Sequence, residues 1–300
     1  MSDGVPSSED VALGFAIPSH NARGRIVRLD ASFEAILAAH AYPPPIARLL
    51  GEALVLTALL GSTLKEAGGQ LTLQAQTESG VIDLLVADYR GGEMRGYVRH
   101  DAERLAEAPA DPSLFALFGR GYLAITFDQT ATGERYQGIV PLEGGSLAEA
   151  AENFFAQSEQ IPSLVRVAVD EEDDRSRAAG MMLQYLPEGE EGRDRLHLRQ
   201  DHPEWEHVRM LGETITGEEL LDPALDLETL IWRLFHEEGE IRVLPPISLS
   251  RGCRCDAGHV ERVVAQFSDD ERRDMADEDG VIQVECEFCS KTFPVPLAED

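Results

Sequence analysis

The sequence predicts an α+β fold in three units: an antiparallel-sheet domain packed with helices over residues 1–195, a helical linker over 196–250, and a small four-cysteine domain over 251–300. Three observations carry this reading. Between Gln70 and Leu142 the apolar residues recur with period two in short runs, flanked by segments of helical period. From Gly189 the texture turns polar and charged, without a sustained apolar period. All four cysteines fall after Gly252, as Cys253-x-Cys255 and Cys286-x-x-Cys289.

Taken in order, "RGRIVRLDASFEAILAAH" reads as a strand running into a helix. "PPPIARLLGEALVLTALLGSTLKEAGG" reads as a long helix, with Pro at its start and the Gly68-Gly69 pair closing it. "QLTLQAQT", "VIDLLVADY", "EMRGYVRH", "YLAITFD" and "ERYQGIVPL" are strands divided by Ser-Gly, Gly-Gly and Pro-containing turns, and their alternation suits antiparallel pairing. "SLAEAAENFFAQSEQIPS" opens on Ser146 as a helix cap and places Leu147, Ala150, Ala151, Phe154 and Phe155 on one face. "SLVRVAVDEE" and "GMMLQYLPE" add two strands. The linker holds short helical pieces at Trp205–Leu211 and Glu218–Leu221, with modest apolar content and little packing. A sharper helix follows in "DLETLIWRLFHEEGE", capped by Asp226 and striped by Leu227, Leu230, Ile231, Leu234 and Phe235. The strand "EIRVLPP" leads to the first cysteine pair.

Hydrophobic residues make up 43% of the 300 residues, enough for a sizeable core. Acidic residues outnumber basic ones 55 to 26, and the formal charge of −29 repels phosphate backbones and anionic headgroups. Nucleic acid and membrane are therefore not expected as partners. The N-terminus lacks a basic segment followed by an apolar one, and the apolar stretch from Ile46 carries Arg48 and Glu52 and stops short of a bilayer span. A cytoplasmic protein is expected, whose cysteines rest as thiols or metal ligands. No P-loop, Gly-x-Gly-x-x-Gly turn or His-Glu-x-x-His motif is present, and "FHEE" reads as a solvated helix end.

The two cysteine pairs supply one tetrahedral set of soft ligands, for which zinc is the favoured ion and an iron–sulfur cluster the alternative. "IQVECEFCSKTFPV" reads as a hairpin presenting Cys286 and Cys289, and "HVERVVAQFSDDERRDM" as two helices, the second capped by Ser268. His259 reads as an ordinary helix or surface residue, since four cysteines close the coordination shell. Spacing alone favours a structural clip; a thiol oxidoreductase built on Cys286 and Cys289 lacks the surrounding βαβ unit.

The cysteine pattern, with "FFAQSEQIPS", "GMMLQYLPE", "RLFHEEGEIRVLPP" and "VECEFCSKTF", resembles the redox-regulated 33 kDa heat-shock chaperones over essentially the whole chain. The resemblance implies an ATP-independent holdase rather than an enzyme, inactive while reduced with one zinc ion on Cys253, Cys255, Cys286 and Cys289. It further implies that oxidation pairs Cys253 with Cys255 and Cys286 with Cys289, releases the metal, unfolds the linker and lets a homodimer bind unfolding clients. The stripe from Leu227 to Phe235 is then either plain core or a surface uncovered for clients. Asp256 stands where the family pattern has a small residue such as Ser; it removes no ligand and bears on the redox set-point alone.

Overall fold

Residues 10–64, 68–77, 79–129, 133–170, 175–186 and 202–297 are described by a computed structural model. The period-two segments become strands. β1 (Val11–Ile17) and β2 (Ala22–Leu29) pair through a turn at Pro18–His20, closed by Asn21 in the left-handed region at φ 51°. After α1 (Ala31–Leu37) comes α2 (Pro44–Gly61). This helix does not run to Gly68-Gly69 as expected. It stops at Gly61, where the Ser62 and Thr63 hydroxyls donate to the Leu59 and Leu60 carbonyls and satisfy the last turn.

β3 (Gln70–Gln76), β4 (Ile82–Arg90) and β5 (Glu93–His100) form a meander. The stretch expected to hold only turns contains α3 (Ala102–Glu107) and α4 (Leu114–Phe118), capped by the Asp101 and Ser113 side chains. β6 (Tyr122–Gln129) and β7 (Glu134–Pro141) follow. In α5 (Leu147–Phe154), Ser146 Oγ accepts from the Glu149 N–H at 3.1 Å, and the predicted apolar face is buried. The helix then widens into a single π turn at Phe155–Glu159 before β8 (Ser163–Asp170) and β9 (Arg177–Tyr185).

The segment expected to be a linker holds α6 (Pro203–Gly212), α7 (Gly217–Leu221) and α8 (Leu227–Phe235), then three two-residue strands: β10 (Arg242–Val243), β11 (Ile247–Ser248) and β12 (Ser250–Arg251). The C-terminal module has α9 (Ala257–Val264), α10 (Asp269–Met275) and the hairpin β13 (Val281–Glu285) and β14 (Thr292–Pro296). Asp226 and Ser268 cap α8 and α10 as predicted.

One large sheet has the order β10-β1-β2-β9-β8, with β11 also on β1; the second has the order β12-β5-β4-β3-β6-β7. Pairing is antiparallel except for β12, which lies parallel to β5. α2 lies between the sheets and touches strands of both, which explains why it is apolar on nearly every side. Its length and composition would suffice to cross a membrane, but 78% of it is buried in this core. A Cβ at Gly180 of β9 would sit 2.5 Å from Val55 Cγ1, so the close approach of α2 to the sheet requires glycine there.

Contrary to expectation, the linker is well packed. Trp205, Val208, Ile215, Leu220, Leu227, Leu230, Ile231 and Phe235 form a second core with Leu13, Phe15, Ile17, Ile26, Met181 and Leu183 of the first sheet. Leu234 is partly buried against it. The buried Arg28 guanidinium donates to the Leu220 carbonyl at 2.8 and 3.2 Å and to that of Leu225 at 2.9 Å, tying α7 and the following turn to β2. Composition understated this packing because the narrow stripe needs a partner, and the sheet face supplies it.

Glu52 of α2 marks a pH-sensitive joint in the main core. Burial pushes its carboxyl up to about 7, although the Ala148 and Leu147 backbone N–H groups favour the anion. The folded value lies above the unfolded value of 4.5, so the native state keeps its proton longer, and stability falls as pH rises from 4.5 through 7. Urea unfolding is expected to show a wild-type loss of about 2–3 kcal/mol between about pH 5 and pH 8, beyond any loss in Glu52→Gln. Parallel pH profiles for the two proteins would remove Glu52 from the account.

Candidate metal centre

Two independent pieces of backbone bring the cysteines together. β12 runs beside β5 with Ser250 opposite Glu93 and Arg251 opposite Met94, and the Gly252 N–H donates to the Met94 carbonyl at 2.9 Å. A Cβ on Gly252 would meet the Glu93 side chain at 2.8 Å, so this close approach favours glycine. Cys253 and Cys255 are therefore delivered beside the start of β5. Asp256 then caps α9 by accepting from the His259 N–H at 2.8 Å, a task that its carboxylate performs as well as a hydroxyl does. His259 is exposed on that helix.

The second pair sits on the predicted hairpin. The Cys286 N–H donates to the Lys291 carbonyl at 3.0 Å, and the Cys289 and Ser290 N–H groups donate to the Cys286 carbonyl at 3.2 and 2.8 Å. Ser290 takes the left-handed conformation at φ 53°, which folds the knuckle back onto itself.

All four sulfurs lie within 4.8 Å of one another, and all four cysteines are free and partly buried. The Sγ atoms of Cys253 and Cys255 are 3.4 Å apart, those of Cys253 and Cys286 3.7 Å, and those of Cys255 and Cys289 3.5 Å. A tetrahedral centre with metal–sulfur bonds of about 2.3 Å has edges of about 3.8 Å, so the four side chains are positioned to bind a metal ion. Their electrostatics agree. Burial opposes ionisation of Cys253, but donation from the Cys255 backbone and from the other thiols outweighs it and brings the group down to about 7. Burial and the neighbouring sulfurs push Cys255 and Cys286 up. Without a cation the cluster tolerates little negative charge; a divalent ion removes that restriction.

The residues between the cysteines carry a feature that their spacing did not reveal. Arg254 reaches into the second sheet, and its Nη2 donates to Asp88 Oδ2 at 3.2 Å. The same oxygen accepts from Arg95 Nε at 2.9 Å and Nη2 at 2.7 Å, while Oδ1 accepts from the Thr72 hydroxyl at 2.7 Å. Phe288, inside the second pair, lies 3.8 Å beneath the Arg95 guanidinium and meets the Tyr97 ring edge-to-face at 4.8 Å. Both cysteine turns are thus keyed to β4 and β5. Asp88 and Arg254 are 166 residues apart, and no local pattern links them. The client stripe suggested from the sequence is elsewhere: Leu227, Leu230, Ile231 and Phe235 are buried on the first sheet.

The comparisons with known proteins cover the whole arrangement. The family model described as "Hsp33 protein" matches residues 10–295. The 33 kDa chaperonin of Caulobacter vibrioides is 40% identical over 304 residues, covering 98% of each chain. That of Yersinia pestis is 35% identical over 287 residues, covering 96% of this chain and 92% of its own. The crystal structure of the Thermotoga maritima 33 kDa chaperonin shares the fold at a TM-score of 0.78 and 23% identity, covering 96% of this chain and 95% of its own. The chain, with its four-cysteine cluster docked on an α+β core, belongs to the Hsp33 family, whose members are chaperones and not enzymes.

Proposed function

We propose that this protein is a redox-regulated, ATP-independent holdase of the cytoplasm that captures unfolding proteins under oxidative stress. The observation that carries the reading is the placement of all four thiols at one point, on a module pressed against the core through Arg254 and Phe288. Cys253, Cys255, Cys286 and Cys289 would hold one zinc ion, which when bound supplies folding free energy and keeps the sulfurs as thiolates. Residues 1–195, 196–250 and 251–300 are taken as core, linker and switch.

In this reading peroxide oxidises the four thiolates to two disulfides; each thiolate pair gives up two electrons as its S–S bond forms, and with two protons from solvent one peroxide becomes two waters. The pairing Cys253–Cys255 and Cys286–Cys289 follows the family resemblance. The sulfur distances hardly select it, since Cys253–Cys286 at 3.7 Å and Cys255–Cys289 at 3.5 Å differ from Cys253–Cys255 at 3.4 Å by no more than 0.3 Å. Disulfide sulfurs no longer hold the ion, so the module loses its main support. The linker then leaves the first sheet, baring the stripe from Leu227 to Phe235 and the Phe15, Ile26 and Leu183 face beneath it. Two opened copies would dimerise and bind unfolded clients through this apolar surface, while the charge of −29 keeps the assembly soluble.

The test follows zinc release and suppression of a thermally aggregating client in one sample, before and after peroxide at mildly raised temperature. Metal loss and client protection are expected to appear together. Zinc loss without protection would leave the centre a structural clip.

A further inference from the structure

A second group of metal-ligand side chains lies away from the cysteines. His20 ends the turn between β1 and β2, His207 lies on α6, and Glu238 follows α8. His20 Nε2 is 2.6 Å from Glu238 Oε2, and His207 Nε2 is 2.7 Å from Oε1 of the same carboxylate. The two imidazole rings lie 4.8 Å apart at 33°. We infer that His20, His207 and Glu238 form a second divalent-metal site, for zinc or a chemically similar ion, that ties the linker helices to the first sheet.

The donor set is two imidazole nitrogens and one carboxylate oxygen, a combination that binds zinc, cobalt and nickel and leaves a coordination position for water. The ligand atoms already converge within 4.8 Å. In a tetrahedral site with bonds of about 2.0–2.1 Å, ligand atoms sit about 3.4 Å apart, so accommodation requires outward side-chain shifts below about 1 Å.

The three residues come from packed elements. The Glu238 N–H donates to the Phe235 carbonyl at 2.9 Å, and the fully buried Phe235 ring lies 5.8 Å from Phe15 of β1. The Glu238 side chain is 8% exposed and that of His20 21%, so these ligands are held from the protein side. His207 is 51% exposed, which provides an entry path and room for the water. "FHEE" reads in the sequence as a solvated helix end, yet in the fold its second glutamate is the least exposed member of the cluster.

The ligands belong to the core strand turn and to two linker elements. An ion bound only when all three are assembled stabilises the docked linker by mass action. The ion would therefore oppose opening at a point far in sequence from the cysteines.

Cobalt titrated into the reduced full-length protein carrying one equivalent of zinc, which the four thiolates take up first, tests this directly. Zinc holds the thiolates more tightly than cobalt does, so the cysteine centre stays occupied. One further equivalent is expected, with visible d–d bands and no thiolate charge-transfer band. His207→Ala, a change at an exposed position, should weaken this binding by on the order of 100-fold or more, exceeding the loss of an outer-sphere partner. Hydrogen exchange of α8 amides should slow on cobalt addition in the wild type and not in the variant. No extra equivalent, or one that survives both His207→Ala and Glu238→Gln, overturns the site and leaves a hydrogen-bonded clasp. Binding without slower α8 exchange overturns the tie to the linker. Neither readout uses a client, so the outcome is separate from the holdase reading.

Discussion

Chelation of the proposed ion under reducing conditions is expected to unfold residues 252–297 while the main core keeps its own transition. Within the module itself little else holds it. Within that stretch only Val264, Ile282 and Phe293 are buried apolar residues, and α10 buries none. Local terms exist: Ser268 and Glu271 form a capping box, and β13 pairs with β14 over five positions. Each such term contributes about 1 kcal/mol, well below the ordering entropy of a segment of this length. A structural zinc ion contributes on the order of 10 kcal/mol, so its loss decides the state of the module. Hydrogen exchange should show β13 and β14 amides losing protection on chelation, while those of β3 and β4 keep theirs. Cys286→Ser should reproduce the change without a chelator. Protection in β13 that survives both treatments would show that packing alone holds the module.

Much of this arrangement is legible in the sequence because its causes are local. Ser146, Asp226 and Ser268 announce helix starts through side chains that reach N–H groups three residues ahead, and each does so in the fold. The strands from β3 to β7 declare themselves by alternation, and the cysteine spacing declares the cluster. What is missed depends on distant partners. β11 and β12 are two residues each and exist only because β1 and β5 offer open edges. In the sequence this segment reads as thinly packed because Trp205, Val208 and Leu220 carry no strong period, yet the face of the first sheet completes their core. The π turn after Phe154 and the early end of α2 are local, but they turn on a few hydrogen bonds that residue-type patterns do not resolve. Arg254 reads as a filler between cysteines until Asp88 is placed beneath it.

Asp88→Ala is expected to loosen the docking of the four-cysteine module without touching a cysteine. The Asp88 side chain is 3% exposed, and those of Arg95 and Arg254 are 18% and 24% exposed, so the substitution strands two poorly solvated cations. Breaking a buried ion pair by removing one partner costs about 3–5 kcal/mol, because the remaining charge stays desolvated. Burial and the like charge of Arg95 already hold the Arg254 guanidinium below its usual range, with Asp88 opposing them. Part of the cost falls on β4 and part on docking of the module, since Arg95 also supports Phe288. Arg254→Met separates the two. It withdraws the module's side of the contact, keeps the Asp88–Arg95 pair and buries no unpaired charge, so the core should melt as in the wild type. Both variants should release the proposed zinc ion at lower peroxide exposure than the wild type, and Asp88→Ala should show the larger shift. The proposed reason is shared: the Arg254–Asp88 contact braces the turn that carries Cys253 and Cys255, because Arg254 sits between them. A Cys253–Cys255 bond would close a tight ring around Arg254 and re-aim its side chain, so oxidation itself would withdraw this contact. If Arg254→Met releases zinc at the wild-type peroxide exposure while Asp88→Ala only lowers core stability, the triad is a core ion cluster and the coupling runs through the linker instead.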